Sequence, residues 1–462
     1  MEGNMPGTLS SGSVKTRLQR IAELARERPE MVFTSLSHVI DIYFLEEAYA
    51  RTRKDGAAGV DGQTAKEYAA NLRANLQSLL DRFKAGAYQA PPVRRAYIPK
   101  EGGKSRPIGI PTFEDKVLQR AVAMVLEAIY EQEFSDCSYG FRPGRSAHQA
   151  LEVLRDGTMD LYGGWVLELD IQSFFDELEP SHLRSFLDQR VQDGVLRRTI
   201  DKWLKAGVVE GGKISHPQLG TPQGGVISPI LANIYLHHVL DVWFENVFKP
   251  RSKGPAFLVR YADDGVMVFE QESDARRVMD VLPKRFGKYG LTLHPEKTRL
   301  IPFRRPRLYG GSTDLNGKAG PGAFDFLGFT HHWCRKRHAG GWAIRRKTAK
   351  SRFSRGLKQI TEWCRRHRHD PVTEQHEALV RKLRGHYAYY GLPWTWENLS
   401  GFRRQVMLIW WKWLNRRSQR GNMPWGIFEK LLKRYPLPEP VMTRGAVCRR
   451  LQRTRDPRSR MR

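Results

Sequence analysis

The chain has 462 residues, room for two or three domains, and its 40% apolar content is enough for real cores. Its net charge of +28 is unevenly placed: residues 331–462 hold 33 Lys and Arg against 8 Asp and Glu, while the rest is nearly balanced at 44 against 41. This excludes an acidic or disordered chain and, with most of the tryptophans in the same basic region, points to an extended polyanion as partner ahead of a membrane surface.

In chain order, Met1 to Ser13 is polar and Gly/Ser-rich, which predicts no secretory leader, and no apolar run approaches a membrane span. Residues 14–50 predict helix, from Leu18, Ile21 and Leu24 through Val39, Ile40, Phe44 and Leu45. A Gly-rich break follows at Asp55–Gly62, then helix over 64–84, closed by Pro91-Pro92. Val93–Ile98 and a second strand ending at Ile110 flank a Gly-Gly loop carrying Lys100 and Lys104. This is a β-ribbon whose basic tip could close over a triphosphate, although Lys and Arg also decorate hairpin tips simply for solubility. Helix is predicted over 112–133, and Ser146-x-x-Gln149 caps another. Trp165–Ile171 reads as a strand that carries Asp170 at its end, with Phe174-Phe175 directly after. A tight turn, Gly220-Thr221-Pro222-Gln223-Gly224-Gly225, precedes an apolar helix over 226–242.

Next comes a hairpin. Phe257–Val259 leads in, Val266–Phe269 leads out, and Tyr261-Ala262-Asp263-Asp264 lies at the apex, with Asp264-Gly265 expected to supply the turn. Helix over 273–289 and a strand over Phe324–Phe329 complete an irregular alternation that predicts an α+β fold. Beyond residue 341 the pattern is helical and basic. Val406–Leu414 is nearly all apolar and reads as a bundle core in preference to a base-stacking platform, and residues 441–462 form an Arg-rich tail without apolar anchors.

Adjacent carboxylates in a partly apolar hairpin need a raised pKa or a bound cation, and phosphoryl transfer between nucleotides uses such a cation: two Mg²⁺ about 4 Å apart activate the attacking 3′-hydroxyl and steady the leaving pyrophosphate. Asp170 is the natural third acid. Cys137, Cys334, Cys364 and Cys448 are widely spaced, as in a reducing cytoplasm. His331, His332 and Cys334, with Cys364, His367 and His369, contain no CxxC pair and are crowded by Arg and Lys, so no zinc is expected.

The ordered blocks Arg95–Lys100 with Lys104-Ser105-Arg106-Pro107, Tyr139–Arg145, Leu169-Asp170-Ile171-x-x-Phe174-Phe175, Thr221–Gly225, Tyr261–Asp264, Gly290–Lys297 and Phe326–Phe329 resemble those of the reverse transcriptases encoded by bacterial group II introns. The resemblance covers about residues 30–440, and residues 345–435, with Arg384-Gly385-His386-Tyr387-x-x-Tyr390-Gly391, are similar to the thumb or maturase region.

The resemblance implies a right-hand polymerase: N-terminal extension and fingers over 1–150, palm over 151–335, a helical basic thumb over 336–440 and a basic tail over 441–462. It implies that Asp170, Asp263 and Asp264, with the carbonyl of Ile171, bind two Mg²⁺. Phe175 would lie under the incoming sugar and exclude a 2′-hydroxyl, Lys100 and Arg106 would grip the triphosphate, Gln223 would line the dNTP pocket, and Lys297 would protonate pyrophosphate. Expected partners are an RNA template, a DNA primer, the structured intron RNA and target DNA, in a cytoplasmic ribonucleoprotein. The chain shows no paired-cysteine nuclease after Pro436-x-Pro438-x-Pro440, which resembles the compact class C lineage. Two alternatives remain beside this reading: an RNA-binding splicing cofactor with incidental polymerase, and a reverse transcriptase co-opted for repair or defence.

Overall fold

The computed structural model describes residues 7–99, 105–211, 213–215, 224–306, 322–336, 340–418 and 423–442. Two sequence expectations, the loop carrying Lys100 and the turn carrying Gln223, lie outside these residues, as does the tail beyond Met442. The chain divides into two compact units: Met1–Ala150 with Leu167–Leu300, and Leu151–Val166 with Ile301–Arg462. Residues 151–166 and 301–335, grouped with the palm in the sequence reading, thus cluster with the C-terminal helices.

The first unit opens with α1 (Gly7–Glu27) and α2 (Ile42–Arg51), where one helix over 14–50 was expected. Pro29 ends the first helix, and the intervening residues are tied elsewhere. Phe33 exchanges backbone hydrogen bonds with Arg190 and Gln192, and the Asp193 carboxylate accepts from the amides of Leu36 and Ser37. Asp41 then caps α2 through the Phe44 amide. The expected helix over 64–84 is also two, α3 (Ala65–Ala70), opened by a Thr64–Glu67 capping box, and α4 (Leu72–Lys84), with Asn71 non-helical between them.

Strands β1 (Val93–Pro99) and β2 (Ser105–Ile110) form the expected antiparallel ribbon, with Pro99 opposite Ser105. Helix α5 (Phe113–Tyr130) is buried nearly all round and packs against α1 and α2. Helix α6 (Ala147–Asp160) begins at Ser146, whose hydroxyl accepts from the Gln149 amide as predicted. Then come β3 (Trp165–Leu169), α7 (Phe174–Glu177), α8 (Pro180–Asp188), α9 (Gly194–Leu204), β4 (Val208–Glu210) and β5 (Lys213–Ser215). The first sheet runs β2-β1-β4-β5. Helix α10 (Ser228–Leu236) continues as wider π-helical turns over His237–Asp241 and Trp243–Phe248.

Strands β6 (Ala256–Tyr261) and β7 (Asp264–Phe269) follow, then α11 (Glu272–Gly287) and β8 (Arg299–Pro302), and the second sheet runs β6-β7-β3-β8. Tyr261 pairs with Asp264, so the hairpin apex is Ala262-Asp263 and the expected Asp264-Gly265 turn belongs to β7.

The second unit holds β9 (Ala323–Phe326), β10 (Phe329–Arg335) and β11 (Trp342–Thr348) in the order β11-β10-β9. The single strand expected over Phe324–Phe329 is instead two strands, because Leu327 and Gly328 both take positive φ, 49° and 79°, and reverse the chain. Helices α12 (Lys350–Arg366), α13 (Val372–Tyr390), α14 (Trp396–Leu414) and α15 (Trp425–Arg434) close around Leu379, Leu383, Phe402, Val406 and Trp410. The helical pattern thus starts at residue 350, after a strand where helix was expected from 341, and the apolar run 406–414 contributes its Val406–Trp410–Leu414 face to the bundle core as predicted. No helix among the described residues is long and apolar enough to cross a membrane.

Candidate active site

Asp170 follows the last residue of β3, and β7 starts beside it: a Cβ on Gly265 would stand 3.2 Å from the Leu169 side chain. The strand ends that carry Asp170 and Asp264 are therefore in direct contact, although the two acids are about ninety residues apart in sequence. The Gly290–Lys297 block closes on the same place. Gln172 donates to the Thr292 carbonyl at 2.8 Å, Ile171 bridges Leu293, and the Asp170 carbonyl accepts from the His294 amide at 2.9 Å. This short added strand delivers Lys297, whose Nζ lies 3.0 and 3.3 Å from the two carboxylate oxygens of Asp170. Asp170 is half-buried, Asp263 is half-exposed and Asp264 is exposed.

The apex carries strain. Ala262 has φ +56°, a left-handed conformation that costs an alanine free energy and persists only where its surroundings impose it. Two things do so. Residues Cys137–Gly140 run alongside β6, with the Arg260 amide donating to Cys137 and the Tyr139 amide to Arg260. At the end of that segment Gly140 abuts the turn, where a Cβ would come within 2.3 Å of the Ala262 nitrogen. From the other side the Arg260 side chain, 1% exposed, donates Nη1 to the Ala262 carbonyl and to Asn233 Oδ1, each at 3.0 Å. Its other nitrogens meet both oxygens of the fully buried Asp241 at 2.7 and 2.6 Å. Asn233 in turn donates to the Gly140 carbonyl at 2.7 Å. Burial opposes the Arg260 charge, but the Asp241 carboxylate more than offsets this and holds the guanidinium pKa above its ordinary value, with a smaller pull from Asp263.

Phe175 stands at the start of α7 after Ser173, another left-handed residue at φ +42°. Phe174 is buried against Tyr235, and the half-buried Phe175 meets it edge-on at 5.2 Å. Arg106 is exposed on β2. Three residues further along that strand, Gly109 places its carbonyl where a Cβ on Gly224 would be only 2.5 Å away, and Gly224 has φ +119°. Two reasons thus require glycine there, and together they seat Gly224 against the Arg106 strand. Gln119 ties down the chain two residues after Gly225 by accepting from the Ile227 amide, and donates to Asp115 at 3.1 Å. Asp115, which also accepts from Tyr88 and Trp203, is wholly buried, and burial pushes its carboxyl up to about 6.

Arg260, Asp241, Asn233, Asp115 and Gln119 were not singled out in sequence. For Arg260 and Asp241 a signal exists: each is a lone charge inside an otherwise apolar segment, which folds only if the charge finds a partner.

Among the described residues no three His, Cys, Asp or Glu side chains are gathered closely enough to hold a metal ion. The donor set at the strand ends is nevertheless all oxygen, as Mg²⁺ requires, and Asp170 faces the cationic Lys297. Of the zinc-type residues weighed in sequence, His331 is buried and stacked on Phe324, and Cys364 belongs to the helical core.

The sequence profile of the family described as reverse transcriptase (RNA-dependent DNA polymerase) matches residues 98–331, just over half of the chain. The group II intron-encoded protein LtrA of Lactococcus lactis subsp. cremoris is 38% identical over 229 residues, 48% of this chain and 37% of its own length. Protein YkfC of Escherichia coli (strain K12) is 37% identical over 275 residues, 52% of this chain and 71% of its own length. A mitochondrial protein of Arabidopsis thaliana, nuclear intron maturase 2, is 28% identical over 305 residues, 55% of this chain and 39% of its own length. The chain thus spans well under half the length of LtrA and of the plant maturase.

Proposed function

The chain belongs to the reverse transcriptase family and is similar to group II intron proteins, and from that premise we propose that it is an RNA-directed DNA polymerase that also binds intron RNA as a splicing maturase. The observation that carries the reading is the contact between the β3 and β7 strand ends, closed by the Gly290–Lys297 block, because it joins three separated sequence motifs at one point. Asp170, Asp263 and Asp264, with the Ile171 carbonyl, are the groups that would hold two Mg²⁺, which supply charge stabilisation and a more acidic 3′-hydroxyl. Lys297, whose ammonium pairs with Asp170, would give a proton to pyrophosphate. Phe175 limits the space for a 2′-hydroxyl, Arg106 with Lys100 takes the triphosphate, and Gln223 borders the nucleotide.

In this reading residues 1–150 are N-terminal extension and fingers, 151–335 palm, and 336–440 a basic thumb and maturase domain. Template and primer are gripped through charge and A-form shape. The basic excess of residues 331–462 supports the RNA-binding role, which needs no polymerase chemistry. The test is Mg²⁺-dependent extension of a DNA primer on an RNA template, by wild type and Asp264→Ala, with splicing of intron RNA followed in parallel. We expect dNTP incorporation lost in the variant while splicing assistance persists. No incorporation by a folded, RNA-binding wild type would reject the polymerase.

A further inference from the structure

We infer that Arg260 and Asp241 form a positioning pair that locks the Ala262-Asp263 apex in the one conformation that presents Asp263 and Asp264 together; the inference rests on the polymerase reading. Arg260 is the penultimate residue of β6, and its side chain folds back under the hairpin tip to take the carbonyl of Ala262. That carbonyl belongs to the left-handed residue of the turn, so the contact fixes the peptide plane leading directly into Asp263. The same nitrogen binds Asn233, which holds Gly140, and Gly140 leaves the turn no room to relax in the other direction. The apex is therefore pressed from one side and pulled from the other.

An isolated guanidinium here would defeat the purpose. Arg260 acts electrostatically on Asp263, and an unneutralised cation would repel a metal ion at that carboxylate. Asp241 removes this conflict through a two-bond fork and lies in the π-helical continuation of α10, a winding found often at functional sites. Stability alone does not call for the arrangement, because a buried Arg–Asp pair can often be replaced by apolar residues of similar volume without loss of stability. What apolar residues cannot replace is the donor to Ala262.

The test compares wild type with the double variant Arg260→Met/Asp241→Leu and with Asp241→Asn. Three quantities are read on each: thermal unfolding, the Mg²⁺ concentration for half-maximal primer extension with kcat and KM for dNTP, and backbone scission by Fe²⁺ and ascorbate with Fe²⁺ alone as the metal probe. We expect the double variant to fold, to lose scission at residues 261–265, and to need at least tenfold more Mg²⁺, with kcat down at least tenfold and KM within twofold. Asp241→Asn, which leaves the Arg260 charge less compensated, should raise the Mg²⁺ requirement by itself. A folded double variant with wild-type scission and Mg²⁺ dependence would reduce the pair to a structural role and overturn the inference. Should the double variant not fold, Arg260→Lys decides: it keeps the charge but not the fork, and the same loss supports the inference while wild-type behaviour overturns it. A wild type that is cut at the turn yet extends no primer would reject the polymerase and leave the positioning role standing.

Discussion

Gly140→Ala tests how rigidly the apex is held. The added methyl carbon would sit 2.3 Å from the Ala262 nitrogen, 2.9 Å from the Tyr261 carbonyl carbon and 3.1 Å from the Ala262 Cα, whereas ordinary contact begins near 3.4 Å. Relief thus requires a shift of about 1 Å, and every atom in the way is backbone. Gly140 itself is not free to retreat, because Asn233 holds its carbonyl at 2.7 Å and the Tyr139 amide is bonded to Arg260 at 2.8 Å. Overpacking of this kind costs about 1–3 kcal/mol, and a reacting group misplaced by about 1 Å loses on the order of 100-fold in rate. We expect both: a fall of about 1–3 kcal/mol in urea unfolding and a fall in the primer-extension rate on the order of 100-fold. Gly385→Ala and Gly401→Ala are the controls, since both glycines are helical with nothing within 4 Å of the new atom, and both variants should keep activity and gain about 0.5–1 kcal/mol. Gly140→Ala with wild-type stability and rate would show that the turn yields freely, and the argument from close approach would fail.

Lys297→Met removes a half-exposed ion pair, so unfolding should change by less than about 1 kcal/mol, while single-turnover extension should slow by about 100-fold or more if the ammonium is the proton donor. If Phe175 lies under the incoming sugar, Phe175→Val opens space there, and the preference for dNTP over rNTP, measured by competition, should fall by about 10–200-fold. His331→Phe probes the second unit. Burial depresses the His331 pKa to about 3, so the stability carried by its neutral ring is present above about 6.5 and is lost as pH falls toward 3. Against wild type, the variant should gain about 2 kcal/mol between pH 6.5 and 5 in urea unfolding, and an equal pH slope in both proteins would contradict the assignment.

Periodicity located most elements but not their breaks, and the reason is the same in each case: breaks are made by tertiary partners. The segment between α1 and α2 is pulled out of helix by Arg190, Gln192 and Asp193, residues more than 150 positions away. Leu327-Gly328 looks like the middle of an alternating strand because alternation continues across a two-residue reversal. The hairpin apex was displaced in the same way. Asp264-Gly265 is the stronger turn signal by composition, but Gly265 lies in β7 close against the Leu169 side chain, while Ala262 bends because Gly140 and Arg260 impose it. Individual site residues were legible as motif positions, whereas the network that holds them is spread over α5, α10 and the Cys137–Gly140 segment, with no local spacing to betray it.

Two of the three closest approaches between the motif segments are made by main chain, a feature their side-chain chemistry hides. Gly140 presses on Ala262, Gly224 on Gly109, and Gly265 on Leu169, and in the first two a methyl group would overlap main-chain atoms. Each contact joins segments far apart in sequence: Gly140 meets the Ala262-Asp263 apex, Gly224 meets β2 at Gly109, and Gly265 brings the start of β7 to the end of β3. Side-chain contacts could not do this as tightly, because rotamers relax where main chain does not. It follows that the glycines should tolerate substitution less well than several of the charged residues around them, and that a compensating change should lie in the partner block. Gly109 faces Gly224 through its carbonyl, so no change of side chain at position 109 can relieve Gly224→Ala. At the Gly265 contact the obstacle is the side chain of Leu169, so Leu169→Ala should relieve Gly265→Ala in part.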